Sequence, residues 1–215
     1  VLGFIEKTDD AIYLDNEDFV ILNDTGLHAF GFDGSSVKYQ ITKVSKEFAD
    51  VYKGDYAHFT LKEISEQPDS ISQAGNNDQI QQFVDYIKQA KNLYITGSGT
   101  SYNAAEIAKY LMSKFAKIKI NTVIASELPF SPDDIERDST LIAISQSGES
   151  ADVLEAVKIA KESNASILSV VNHLNSSLSQ ESSLVMGLNC GPEIGVAATK
   201  SFTSQLAILY KITDK

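Results

Sequence analysis

The chain has 215 residues, enough for one large or two small domains, and its 43% apolar content is ordinary for a globular protein. A net charge of −11 argues against nucleic acid as a partner, and no apolar run approaches a membrane span, so a cytoplasmic location is expected. The single cysteine, Cys190, permits no intrachain disulfide and suits a reducing compartment.

Residues 1–57 carry short alternating apolar runs, Ala11 to Leu14, Phe19 to Leu22 and Leu27 to Phe32, interrupted by Asp-Asn, Asp-Thr-Gly and Asp-Gly signals. This texture predicts antiparallel strands joined by tight turns. Three or four such strands make a poor core by themselves, so the segment reads as part of a larger β-containing domain, and Val1 in place of a Met points the same way. The acids Asp9, Asp10, Asp15, Glu17 and Asp18 read as a solvated hairpin rim, because their spacing does not match an EF-hand loop. From Thr60 a helix is expected through Glu66, ended by Pro68, with Asp69 to Asp78 as a polar connector.

Beyond residue 78 the pattern becomes α/β. Helices are expected over 79–91, 102–116 and 151–163, with a long final helix from about Ala197; strands are expected over 93–96, 119–124, 140–144, 166–171 and 184–188. These strands are rich in Ile, Val and Leu without polar alternation, which predicts a sheet covered on both faces. The expected fold is therefore α/β, a doubly wound, flavodoxin-like five-stranded parallel sheet preceded by a small β-rich segment. The run Ser176 to Ser183 has a capping-box spacing from Ser177 to Gln180 and reads as a short structural helix. Cys190 has no histidine placed by sequence as its base, so a nucleophilic role is not expected; His28, His58 and His173 read as surface or capping residues.

Two strand-to-helix turns carry the chemistry. After strand 140–144 comes Ser145-Gln146-Ser147-Gly148-Glu149-Ser150, and after strand 93–96 comes Gly97-Ser98-Gly99-Thr100-Ser101. The first N–H groups of a helix have no intrahelical partner and carry the positive end of the helix dipole, so an anion there is stabilised. The serine hydroxyls add neutral donors, and glycine allows a close backbone approach. A plain reading also exists: Ser150 is a good N-cap whatever the function. The segment GSGTS lacks the GK[ST] ending of a P-loop, and Tyr102 stands where the third glycine of a dinucleotide fingerprint would fall. A small phosphorylated ligand is therefore favoured over a nucleotide. With a net charge of −11, attraction must come from local amides and hydroxyls. The loop Cys190 to Val196 lies on the same expected sheet edge and could close over a ligand.

Taken in order, GSGTSYNAAEIAKY, SELP, SQSGESADVLEAVKIAK and GPEIGVAATKSFTSQ resemble the first sugar-isomerase (SIS) domain of the glutamine:fructose-6-phosphate amidotransferases, the glucosamine-6-phosphate synthases. The segment HFTLKEISEQPDSI at 58–71 resembles that family's junction between its glutaminase and isomerase halves, and residues 1–57 resemble the end of its glutaminase domain. The resemblance implies the divisions 1–57, 58–78 and 79–215. It also implies a phosphate held by Ser101, Ser145, Gln146, Ser147 and Ser150, with Thr100 and the main chain near Val196 touching the sugar. Ser150 stands where the family commonly has threonine, which keeps a hydroxyl, and Ala198 where it has serine, which removes one; Ser98 stands where it often has cysteine. The implied ligands are fructose 6-phosphate and glucosamine 6-phosphate, with no metal or cofactor, and the implied assembly is a homodimer. The family's glutaminase cysteine and its isomerase acid/base groups have no counterpart here, so the expectation is a fragment that binds a sugar phosphate without turning it over. The alternative is a stand-alone SIS module that senses a sugar phosphate.

Overall fold

The computed structural model describes residues 8, 10–12, 14, 18–43 and 53–215. The chain divides into two compact units, Val1–Tyr52 and Lys53–Lys215. In the first, β1 (Asp10–Ala11) leads to the hairpin of β2 (Asp18–Asn23) and β3 (Gly26–Gly31), followed by β4 (Ser36–Val37) and β5 (Thr42–Lys43). β2, β3 and β4 form one antiparallel sheet, and β1 pairs with β5 in another. The Asp-Thr-Gly signal makes the hairpin turn: Asn23 Oδ1 accepts the N–H of Thr25 at 3.0 Å, and Gly26 follows at φ +125°. Register places Phe19 opposite Phe30, where their rings stack at 5.6 Å. The expected strand at Ala11 to Leu14 is shorter, ending at Ala11. Of the acidic rim, Asp10 pairs with Lys43 at 2.6 Å, whereas Asp9, Asp15 and Glu17 lie outside the described residues.

The second unit opens with α1 (Phe59–Ser65) and α2 (Gln67–Gly75). The connector expected over Asp69 to Asp78 is thus helical through Gly75. Pro68 starts α2 because the first turn of a helix needs no N–H from it, and fully buried Ala74 seats the helix in the core. There follow α3 (Ile80–Gln89), β6 (Leu93–Gly97), α4 (Thr100–Leu111), β7 (Asn121–Ile124), β8 (Thr140–Ser145), α5 (Ala151–Glu162), β9 (Ser166–Val171), α6 (Ser177–Gln180), β10 (Leu184–Gly187) and α7 (Lys200–Thr213). Residues 112–116, expected as plain helix, form a π-turn that ends at left-handed Lys117. The cap of α6 is Ser176, whose Oγ accepts the N–H of Ser179, one residue before the expected Ser177. α7 begins at Lys200 and not Ala197, since Thr199 at φ −128° and ψ −85° is not helical.

The five strands β6 to β10 form one parallel sheet in the order β10-β9-β8-β6-β7. Every residue of β6 and β8 is buried, which explains why apolar residues occupy both faces of these strands. Alternate positions serve two cores. Ile95, Ile142, Ile144, Leu168 and Val170 pack with α3, α4 and α7, whereas Tyr94, Leu141, Ala143, Ile167 and Val171 pack with α5 and Leu178 of α6. No helix among the described residues is long and apolar enough to cross a membrane.

Candidate functional site

β6 and β8 lie side by side in register, with Gly97 opposite Ile144, so the turns that follow them leave the same edge of the sheet. The chain passes from β6 to β7 on one side, while β8 leads to β9 on the other. This is the switch point where open parallel sheets bind ligands.

In the turn after β8, Gly148 adopts φ +70° and its N–H donates to Ser145 Oγ at 3.0 Å, while the N–H of Glu149 donates to Ser147 Oγ at 3.1 Å. Ser145 Oγ and Ser150 Oγ lie 3.3 Å apart. Ser150 is the N-cap of α5 by position, yet its side chain makes no capping hydrogen bond, and the first helical bond is accepted by its carbonyl from Leu154 at 3.0 Å. The leading N–H groups of α5 therefore have no side-chain acceptor, and three hydroxyls stand beside them. Gln146 and Ser147 are half-buried, and the Gln146 carbonyl accepts the N–H of Asn172 at 3.1 Å, tying this turn to the end of β9.

The turn after β6 has the same character. Gly97 is closed upon: a Cβ there would sit 2.9 Å from the carbonyl carbon of Ser101. Gly99, at φ +56°, is the N-cap of α4 and offers no capping side chain. Thr100 is exposed, whereas Ser101 is buried and its Oγ accepts a hydrogen bond from Gln205 Nε2 of α7 at 3.0 Å. The structure thus brings Thr100, Ser101, Ser145, Gln146, Ser147 and Ser150 to two adjacent turns. Val196 is fully exposed on the loop that leaves β10, two strands from β8 in the sheet order, and this loop leads into α7, whose Gln205 reaches Ser101. Cavities of about 290, 730 and 560 Å³ are lined by the ends of α3 and α7, by the outer face of α5, and by α2 with α7; none includes Ser101, Ser145, Ser147 or Ser150.

Several residues around these turns are invisible to local sequence reading. The Glu149 carboxylate accepts both the N–H and the hydroxyl of Ser177 at 2.8 Å, and these bonds hold it below the usual carboxylate range. Glu193 accepts the N–H of Thr199 at 2.9 Å and of Ser201 at 3.1 Å, which sets the start of α7. Buried Lys200 pairs with Glu66, the residue between α1 and α2, at 2.6 Å. Cys190 is buried, with Sγ 3.2 Å from Asn172 Oδ1; burial and then the nearby Glu193 charge push its thiol up to about 11, the state of an inert structural cysteine. Among the described residues, no group of three or more His, Cys, Asp or Glu could hold a metal ion. The sequence signal for the glutamates was present in the runs KEISEQP and GPEIG, but not what they touch.

Sheet order and turn chemistry define a doubly wound α/β protein with a candidate site edge built from hydroxyls and helix N-termini. The SIS domain pattern matches residues 86–213, and the chain belongs to the SIS-domain family. Across 98% of its length it is 35% identical to the glutamine–fructose-6-phosphate aminotransferase (isomerizing) of Thermotoga maritima, and across 97% it is 38% identical to that of Thermococcus kodakarensis. It spans 36% and 35% of the length of those relatives. Its fold is similar to the C-terminal domain of glucosamine-fructose-6-phosphate aminotransferase from Francisella tularensis, with a TM-score of 0.69 and 38% identity, over 76% of this chain and 48% of that one.

Proposed function

We propose that the chain binds a hexose 6-phosphate, fructose 6-phosphate or its amino product glucosamine 6-phosphate, as part of an aminotransferring isomerase. The observation that carries this reading is that Ser150 occupies the cap position of α5 without capping it: its hydroxyl pairs with Ser145 Oγ at 3.3 Å, and the leading N–H groups of the helix are left without a side-chain acceptor. A serine placed only to start a helix would bond back to that helix. Whole-length similarity to aminotransferases of this reaction supports the choice of ligand.

In this reading Ser101, Ser145, Gln146, Ser147 and Ser150 hold the phosphate, and Thr100 and the Val196 backbone meet the sugar. Residues 1–57 form the end of a glutaminase-like domain, 58–78 the junction, and 79–215 the first SIS domain of a cytoplasmic homodimer. Binding anchors the ester so that the far end of the sugar is held still for imine formation and proton transfer. The groups for those steps are not assigned to these 215 residues, so this chain by itself binds without converting.

Thermal unfolding with glucosamine 6-phosphate is the test. At a hundredfold excess over Kd the ligand adds about 2.7 kcal/mol, which raises Tm by roughly 5–10 °C. Ser145→Ala/Ser147→Ala lowers the unliganded Tm, because the N–H groups of Gly148 and Glu149 lose their acceptors, and abolishes the ligand-induced rise measured from that lower baseline. An unchanged Tm of the wild-type chain at millimolar ligand defeats the proposal.

A further inference from the structure

We infer that Glu63 of α1 is a positioning residue that fixes the loop carrying Val196, and so sets affinity for the sugar and not for its phosphate. The inference rests on the binding reading above, and it draws a helix outside the 86–213 SIS match into the site.

Glu63 is 2% exposed, an unusual place for a carboxylate. Its Oε1 accepts two backbone N–H groups from 131 and 132 residues away, Ile194 at 2.5 Å and Gly195 at 2.9 Å. Its Oε2 is buried without a hydrogen-bond partner and faces Gly195: a Cβ built on that glycine would lie 2.5 Å from Oε2 and 2.7 Å from Thr60 Oγ1. Only a residue without a side chain lets the loop press this closely on α1. Three residues on, Glu66, which caps the end of α1 and opens α2, holds buried Lys200.

The segment 194–200 is therefore held at both ends, by Glu63 of α1 and by Glu66 at the junction of α1 and α2. Between these two contacts, Val196 and Ala197 are exposed on a segment held in place before any ligand arrives. A loop ordered before binding loses little entropy when a sugar arrives. The hydroxyls and helix N-termini proposed for the phosphate belong to the turns after β6 and β8, and none of their hydrogen bonds involves Glu63. Loosening the loop should cost sugar contacts and spare the anion.

Calorimetric titration of this chain with inorganic phosphate and with glucosamine 6-phosphate separates the two effects. Glu63→Ala is expected to weaken glucosamine 6-phosphate tenfold or more while phosphate binding stays within twofold. Glu63→Gln keeps a carbonyl acceptor for the two N–H groups and is expected to restore sugar-ester binding to within threefold. If the alanine variant does not fold, Gly195→Ala, whose methyl displaces the loop from Oε2, is expected to give the same split. Equal weakening of both ligands, or of neither, overturns the inference and leaves the phosphate site standing. A wild-type chain that binds neither ligand removes the functional reading itself, and this inference with it.

Discussion

Gly148 is the position where the fold and the proposed site depend on the same atoms, and Gly148→Ala tests that dependence. The residue sits at φ +70°, which costs a side-chain-bearing residue roughly 1–2 kcal/mol. Its new Cβ would lie 2.0 Å from Ser176 Oγ and 2.5 Å from Ser176 Cβ, so rotating the hydroxyl away is not enough and the backbone must move. Such overpacking costs roughly 1–3 kcal/mol. Ser176 also caps α6, and the Gly148 carbonyl accepts the N–H of Leu178 at 3.0 Å, so displacement endangers a cap worth about 1 kcal/mol. Together these effects predict a loss of roughly 3–5 kcal/mol, a large part of a domain's stability, and a fall in Tm on the order of 10 °C. Urea and thermal unfolding measure it. Adding Ser176→Gly removes both clashing atoms, and the double-mutant cycle should show at least about 1 kcal/mol of coupling. A loss below about 1 kcal/mol for Gly148→Ala, or purely additive effects, refutes the packing argument.

Gln205 donates to Ser101 Oγ, which leaves the serine proton for an external acceptor; Gln205→Met should weaken glucosamine 6-phosphate severalfold, with no further loss in a Ser101→Ala background. Multiplying effects in titrations of the four proteins would contradict this coupling. Because the fold raises the Cys190 thiol from 9.0 to about 11, alkylation at pH 8 should be roughly hundredfold slower in the native state than in urea. The native state holds that proton more tightly than the unfolded chain, so the associated stability is complete below pH 9 and is lost as the pH rises toward 11. Native and unfolded rates that agree within threefold would show the thiol to be accessible.

The sheet was legible because burial on both faces leaves a plain mark: β6 and β8 are mostly apolar on both faces, with Thr96, Thr140 and Ser145 as buried polar exceptions, and the expected strands 93–96 and 140–144 each fell one residue short of the observed ones. The two candidate turns were legible for a related reason. A strand ending in hydroxyls and glycine before a helical run constrains backbone and chemistry within a few residues, and the helix dipole does the rest. Periodicity failed where a residue has two meanings. Pro68 read as a stop, although the same lack of an N–H makes it a good first residue for α2, and only packing of Ala74 into the core decides between them.

Composition, periodicity and turn chemistry determined the layered α/β architecture and the candidate anion edge, while the likeness to an amidotransferase family came from the matching motifs themselves. The tertiary structure alone decided that Ser150 leaves its helix uncapped, that Gln205 reaches Ser101 across 104 residues, and that Glu63 grips the loop at Ile194 and Gly195. The reason is physical: strand and helix signals arise from interactions between near neighbours in the chain, whereas a buried carboxylate or amide takes its partner from whichever segment the packed sheet brings beside it.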